Sequence, residues 1–142
     1  MIDFIEKKPA AEEYNSLTEA VGWGREPDHL IEEMFENTLY SVCAYDGEKM
    51  VGFARMVGDG ILFAYVQDVM VLPEYQGQHI GSCLMEYIMG EISRRTVKSP
   101  AIRTYLGASE GKEGFYRKFG FVTREELGLG AGMILKKRIL QK

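Results

Sequence analysis

The chain has 142 residues, 46% of them hydrophobic and 27% charged, which suits one soluble globular domain with a single core. Its formal net charge of −4 gives no overall basic field to attract nucleic acid, so any bound anion must be held by local geometry. No apolar run is long enough to span a bilayer, and the opening MIDFIEKKPAAEEY lacks the apolar core of a secretory signal, so neither a membrane nor a nucleic acid is expected as a partner.

In chain order, residues 2–6 (IDFIE) read as a short strand. Residues 10–21 and 28–37 read as helices, with Asp28, behind Pro27, expected to cap the second. The linker VGWGREP holds two glycines, a proline and the only tryptophan, Trp23. Residues 39–46 and 49–57 read as strands around Asp46-Gly47, a hairpin turn signal. Residues 61–71 (ILFAYVQDVMV) read as a long, nearly continuous apolar strand, as expected when both faces are covered. Residues 79–93 place Ile80, Leu84, Ile88 and Ile92 on one helical stripe. Residues 100–106 read as a strand, 111–119 as a short helix, and 121–125 and 131–137 as final strands. The order is that of a single mixed α/β domain over residues 1–142, with helices crossing over a sheet. Cys43 and Cys83 are too few for a disulfide framework and point to a reducing, cytoplasmic setting. The two histidines and two cysteines stand at no ligand spacing, so no metal is expected.

One joint concentrates the chemistry. In VLPEYQGQHIGSCLM, residues 71–85, a buried strand runs through a glycine-containing loop straight into a helix. The first N–H groups of a helix have no intrahelical partner, and the helix dipole stands behind them. That is an anion site, and glycine lets a phosphate approach the amides. Other phosphate motifs fail. Gly107-Ala-Ser-Glu-Gly111-Lys112-Glu113 has three residues between its glycines where a Walker loop has four, and Glu where it has Ser or Thr. The same segment fits the hydrolase elbow G-x-S-x-G, but both His29 and His79 precede Ser109, the wrong chain order for that fold.

Val71-Leu-Pro-Glu-Tyr-Gln-Gly-Gln-His-Ile-Gly81, followed about thirty residues on by Gly114-Phe-Tyr-Arg-Lys-Phe-Gly-Phe121, resembles the GNAT acetyltransferase superfamily. Its first motif is a strand ending in Val-x-Pro, then (Gln or Arg)-x-x-Gly-x-(Gly or Ala). Its second is a helix ending in Tyr-x-x-x-Gly-Phe. The resemblance implies a mixed sheet of about six or seven strands flanked by about four helices, with two central parallel strands splayed apart. It implies acetyl-coenzyme A as co-substrate and a small-molecule or peptide amine as acceptor. The cofactor would lie against the backbone of Val69, Met70 and Val71, which would pair with its pantetheine arm like an added strand. The amides of Gln76, Gly77, Gln78, His79, Ile80, Gly81 and Ser82 would take its pyrophosphate. His79 stands where the family has its interior glycine. Placed in the first helical turn, it is expected to hold ordinary right-handed dihedrals.

Tyr116 falls at the family's general-acid position, and a phenol with pKa about 10 is protonated at neutral pH. Gln67 and Asp68 are adjacent polar residues inside an apolar strand. Strict alternation would bury one of them, whereas a bulge would turn both toward a cleft. Tyr65, Gln67, Asp68 and Trp23 are the residues expected near the acceptor. Pairing through C-terminal strands makes a homodimer the assembly expected by analogy. The alternative function on the same fold is a non-catalytic acyl-coenzyme A binder, which has no need of the Tyr116 phenol.

Overall fold

The computed structural model describes residues 1–137. The elements are β1 (Ile2–Ile5), α1 (Ala11–Ala20), α2 (Asp28–Glu36), β2 (Tyr40–Asp46), β3 (Lys49–Val57), β4 (Phe63–Val71), α3 (Ile80–Lys98), β5 (Arg103–Leu106) and α4 (Glu113–Arg117), with 3-10 turns at Pro73–Tyr75 and Glu125–Leu127. The strands form one mixed sheet in chain order. β1 to β4 pair antiparallel, and β4 pairs parallel with β5. Parallel neighbours need a crossover, and α3 supplies it.

The two sheet faces are covered by different helices. On one, a Cβ on Gly52 would meet Ile80 Cγ2 and Leu84 Cδ1 of α3 at 3.2 Å. Ile80, Leu84 and Ile88 of the predicted stripe are buried there, and Ile92 is partly exposed. On the other, Phe53 of β3 meets Tyr14 of α1 and Phe35 of α2 edge to face, with centroids 5.6 and 5.8 Å apart. Burial on both faces is why β2 and β3 read as apolar runs: Val42, Cys43, Ala44, Val51, Phe53, Ala54 and Met56 are all fully buried.

Several expectations are corrected. The sheet has five strands among the described residues, fewer than expected. Residues 121–125 and 131–137 are not strands. Glu126 accepts the Thr123 N–H at 2.8 Å and pairs with Arg117 at 2.9 Å, tying the first stretch into a turn. Residues 131–137 have β-prone side chains but no ladder, and propensity without a partner strand does not make a strand. Pro27, not Asp28, sits at the α2 N-cap, because the Asp28 carboxylate accepts from Asn15 Nδ2 at 3.0 Å. The chain divides into two compact units, Met1–Gly107 and a second from Ala108 onward. No helix among the described residues is long and apolar enough to cross a membrane.

Candidate active site

The strand that should carry the cofactor is bulged. Against β3, Phe53 lies opposite Met70 and Arg55 opposite Gln67, so two steps on β3 face three on β4. The extra residue is at Asp68, whose φ is +57°. Tyr65, Gln67, Asp68 and Val69 are all partly exposed. Gln67 shares the face of Arg55, and the Asp68 carboxylate turns to the same face, as the adjacent polar pair led one to expect. There Arg55 Nε donates to Asp68 Oδ2 at 2.6 Å and Tyr14 Oη donates to the same oxygen at 2.8 Å. Burial, followed by the charge of Asp68, pushes the Tyr14 phenol well above its usual range.

The other edge of β4 opens at the same point. The parallel ladder to β5 runs from Phe63–Arg103 to Val66–Leu106 and stops, while β4 continues through Val71. Among the described residues no strand pairs with that edge beyond Val66. The backbone of Val69, Met70 and Val71 thus has no partner strand on the β5 side among the described residues, although the Val71 carbonyl accepts from Gln76 Nε2.

Just beyond, Pro73–Tyr75 makes a 3-10 turn, and Tyr75 Oη ties it to Asp46 Oδ2 of the β2–β3 turn at 2.5 Å. Gln76 Nε2 donates back to Val71 O at 3.1 Å. Gly77 has φ +83°, a value that explains glycine at this place in the loop. Gln76, Gly77, Gln78 and His79 are exposed, and Gly81 and Ser82 partly so. The first intrahelical bond in α3 runs from Cys83 N–H to His79 O at 3.1 Å. The amides of Ile80, Gly81 and Ser82 therefore precede the helical ladder, and no side chain caps them. A residue set that leaves a 19-residue helix uncapped beside an open strand edge fits a pyrophosphate followed by an extended amide-bearing arm.

His79 overturns its expected geometry. It is the N-cap of α3 with φ 63° and ψ 17°, in the left-handed region and outside the helix. That is the physical reason for a glycine at this motif position: a Cβ there costs about 1–2 kcal/mol, although histidine tolerates it better than most residues. His79→Gly should therefore raise the stability of the free chain by about 0.5–1 kcal/mol, a rise of a few degrees in melting temperature by circular dichroism. A lower midpoint would mean that the imidazole makes a compensating contact.

In the second unit, Tyr116 lies in α4 with its ring edge-on to Phe115 at 5.0 Å and to Phe121 at 6.4 Å. Gly120, at φ +94°, ends the segment, and Phe121 N–H returns to Tyr116 O at 3.4 Å. This left-handed helix stop accounts for the Gly-Phe of the second motif. Burial raises the Tyr116 phenol above its ordinary pKa, so it keeps its proton at neutral pH.

Trp23 is 53% exposed, so it is not a core residue. Its loop is anchored by buried Asn15, which donates to Glu26 O at 2.8 Å and accepts the Glu26 N–H at 3.2 Å. Arg25 of the same loop pairs with Glu12 at 2.6 Å and Glu19 at 2.9 Å. Asn15, Tyr14 and Arg55 were absent from the sequence reading. Arg55 had a visible signal, a lone charge inside the apolar strand KMVGFARMV; Tyr14 and Asn15 sit unremarkably on an amphipathic helix. Cys43 is a buried free thiol, pushed up to about 12 by burial, and Cys83 is a half-buried one.

Comparison with known proteins fits this geometry. A profile of the acetyltransferase (GNAT) domain matches residues 37–123. A probable acetyltransferase from methicillin-resistant Staphylococcus aureus has 31% identity and a TM-score of 0.84, covering 96% of this chain and 100% of its own. A GNAT-family acetyltransferase from Streptococcus pneumoniae TIGR4 has 34% identity and a TM-score of 0.80, covering 97% and 99%. An uncharacterized N-acetyltransferase of ycf52-like type from Prochlorococcus marinus is 30% identical over 113 residues, 77% of this chain and 61% of its own length. The chain belongs to the GNAT acetyltransferase family. It spans about three fifths of the length of the curated relatives it matches.

Proposed function

We propose that the chain is an acetyl-coenzyme A-dependent N-acetyltransferase that moves the acetyl group to a primary amine by direct attack within a ternary complex. The observation that carries this reading is the open edge of β4 beyond Val66 running into the uncapped N-terminus of α3. Val69, Met70 and Val71 would hold the pantetheine arm. Gln76, Gly77, Gln78, His79, Ile80, Gly81 and Ser82 would hold the pyrophosphate. The bound co-substrate supplies an activated acyl carbon. The chain orients the amine against it, which is the main contribution such a reaction asks of a protein. Tyr116 gives its phenolic proton to the departing sulfur. Burial keeps that proton on the phenol at neutral pH, as the role requires.

Tyr65, Gln67 and Trp23 are proposed to contact the acceptor. The acidic balance of the chain favours a cationic amine. Exposed Met133, Ile134 and Leu135 support pairing of two copies near the C-terminus, and two free cysteines suit a reducing cytoplasm.

The deciding experiment is thioester consumption with coenzyme A release across a panel of amines, where consumption without any dependence on amine would sink the transferase reading. A narrower check addresses the cradle. Gly81→Asp puts a carboxylate at the start of α3, where it should weaken acetyl-coenzyme A binding at least about tenfold, or roughly 1.4 kcal/mol. Calorimetric titration that gave an unchanged affinity would remove the pyrophosphate from this helix.

A further inference from the structure

The bulge in β4 is held by side chains from three elements. Asp68 stays left-handed although it is not glycine. Its Oδ2 receives both Arg55 Nε at 2.6 Å, from β3, and Tyr14 Oη at 2.8 Å, from α1. The Arg55 and Asp68 side chains are only 13% and 14% exposed, so solvent and salt screen this charge-assisted contact little. Both donors are themselves fixed. The Tyr14 ring stands edge-on to Phe35 and Phe53 at 5.4 and 5.6 Å. Arg55 Nη1 donates to buried Thr38 Oγ1 at 3.3 Å.

What the bulge controls is which way the strand faces. Before it, Val66 lies opposite Met56, on the face that meets α3. After it, Met70 lies opposite Phe53, on the face that meets α1 and α2. Without the extra residue, everything beyond it would swap faces, and the backbone groups of Val69, Met70 and Val71 would be displaced from their present alignment. We infer, resting on the cofactor reading above, that Tyr14 and Arg55 are positioning residues: acting through Asp68, they lock the bulge and so aim the backbone of residues 69–71 at the pantetheine arm. The same bonds engage the Asp68 carboxylate, which therefore serves the cofactor strand rather than the acceptor amine. Because Tyr14 belongs to α1, the lock ties that helix to the strand that holds the thioester.

The test separates the two halves of the cofactor. 3′-Phospho-ADP carries the pyrophosphate without the pantetheine arm; coenzyme A carries both. Both are titrated calorimetrically into the parent, Tyr14→Phe, Arg55→Met, and the double variant Arg55→Met with Asp68→Gly. Coenzyme A affinity should fall about threefold in Tyr14→Phe and about tenfold or more in Arg55→Met, with 3′-phospho-ADP affinity unchanged in each. The double variant should recover coenzyme A affinity to within about threefold of the parent, since glycine holds a positive φ without a lock. Equal losses for both ligands would overturn the inference in favour of general loosening. So would unchanged coenzyme A affinity accompanied by a raised KM for the amine, which would return Asp68 to the acceptor. A parent chain that bound neither ligand would overturn the cofactor reading itself, and this inference with it.

Discussion

Tyr116→Phe should lower turnover about a hundredfold or more, the usual scale of general acid–base help, while acetyl-coenzyme A affinity stays within a few fold. The substitution keeps the ring, so the edge-on packing against Phe115 and Phe121 survives. It removes one proton donor. A thiolate leaving without a proton source must take one from water, and the barrier rises by about 2.7 kcal/mol for each hundredfold of lost rate. Because burial already holds the phenol above its ordinary pKa, the parent should keep its protonated form through neutral pH and lose it only under more alkaline conditions. The variant should lack any alkaline fall that belongs to this group. The measurement is steady-state turnover on an amine from the panel, with coenzyme A affinity determined separately. Turnover within threefold of the parent would make Tyr116 a packing residue and hand the proton to solvent.

The second large effect is on stability. Phe53→Ala should destabilise the unit Met1–Gly107 by about 3–5 kcal/mol, the usual cost of emptying a buried aromatic site. Phe53 is fully buried and forms one corner of a trio with Tyr14 and Phe35. Each of its two edge-to-face pairs adds about 0.5–1.5 kcal/mol beyond the buried area. The melting temperature should drop by roughly 10 °C or more, read by circular dichroism. Tyr14 leans on Phe53 while its hydroxyl holds Asp68, so the same variant should also weaken coenzyme A binding at temperatures where the chain is still folded. A drop under about 3 °C would mean that the neighbours close over the missing ring.

Much of the fold was legible because its signals are local. The strand that became β4, the hairpin at Asp46-Gly47 and the Ile80, Leu84, Ile88 stripe each announce themselves within about ten residues, through turn chemistry or periodicity. The bulge was legible for a related reason: two adjacent polar residues cannot both lie on one face of a regular strand. The final strands failed for the opposite reason. A strand is completed by a neighbour, and residues 131–137 have none among those described. Asp28 shows the same limit at the scale of one side chain: it has cap chemistry, but Asn15 engages its carboxylate instead.

By itself the sequence determined two local features: a glycine-bearing loop between a buried strand and a helix and, separately, a phenol and a Gly-Phe stop in a second short helix. Those are properties of neighbouring residues, and local sterics and unpaired amides dictate them. Only the tertiary structure decided how the strand is held open. The end of the β4–β5 ladder at Val66, the locked left-handed backbone of Asp68, and the arrival of Arg55 and Tyr14 at one carboxylate oxygen all depend on elements far apart in the chain. Tyr14 and Asp68 are 54 residues apart, and no periodicity in either segment encodes the other. Their meeting follows from packing α1 against the sheet, where the apolar face of the helix fixes its position and the phenol is carried to the carboxylate with it.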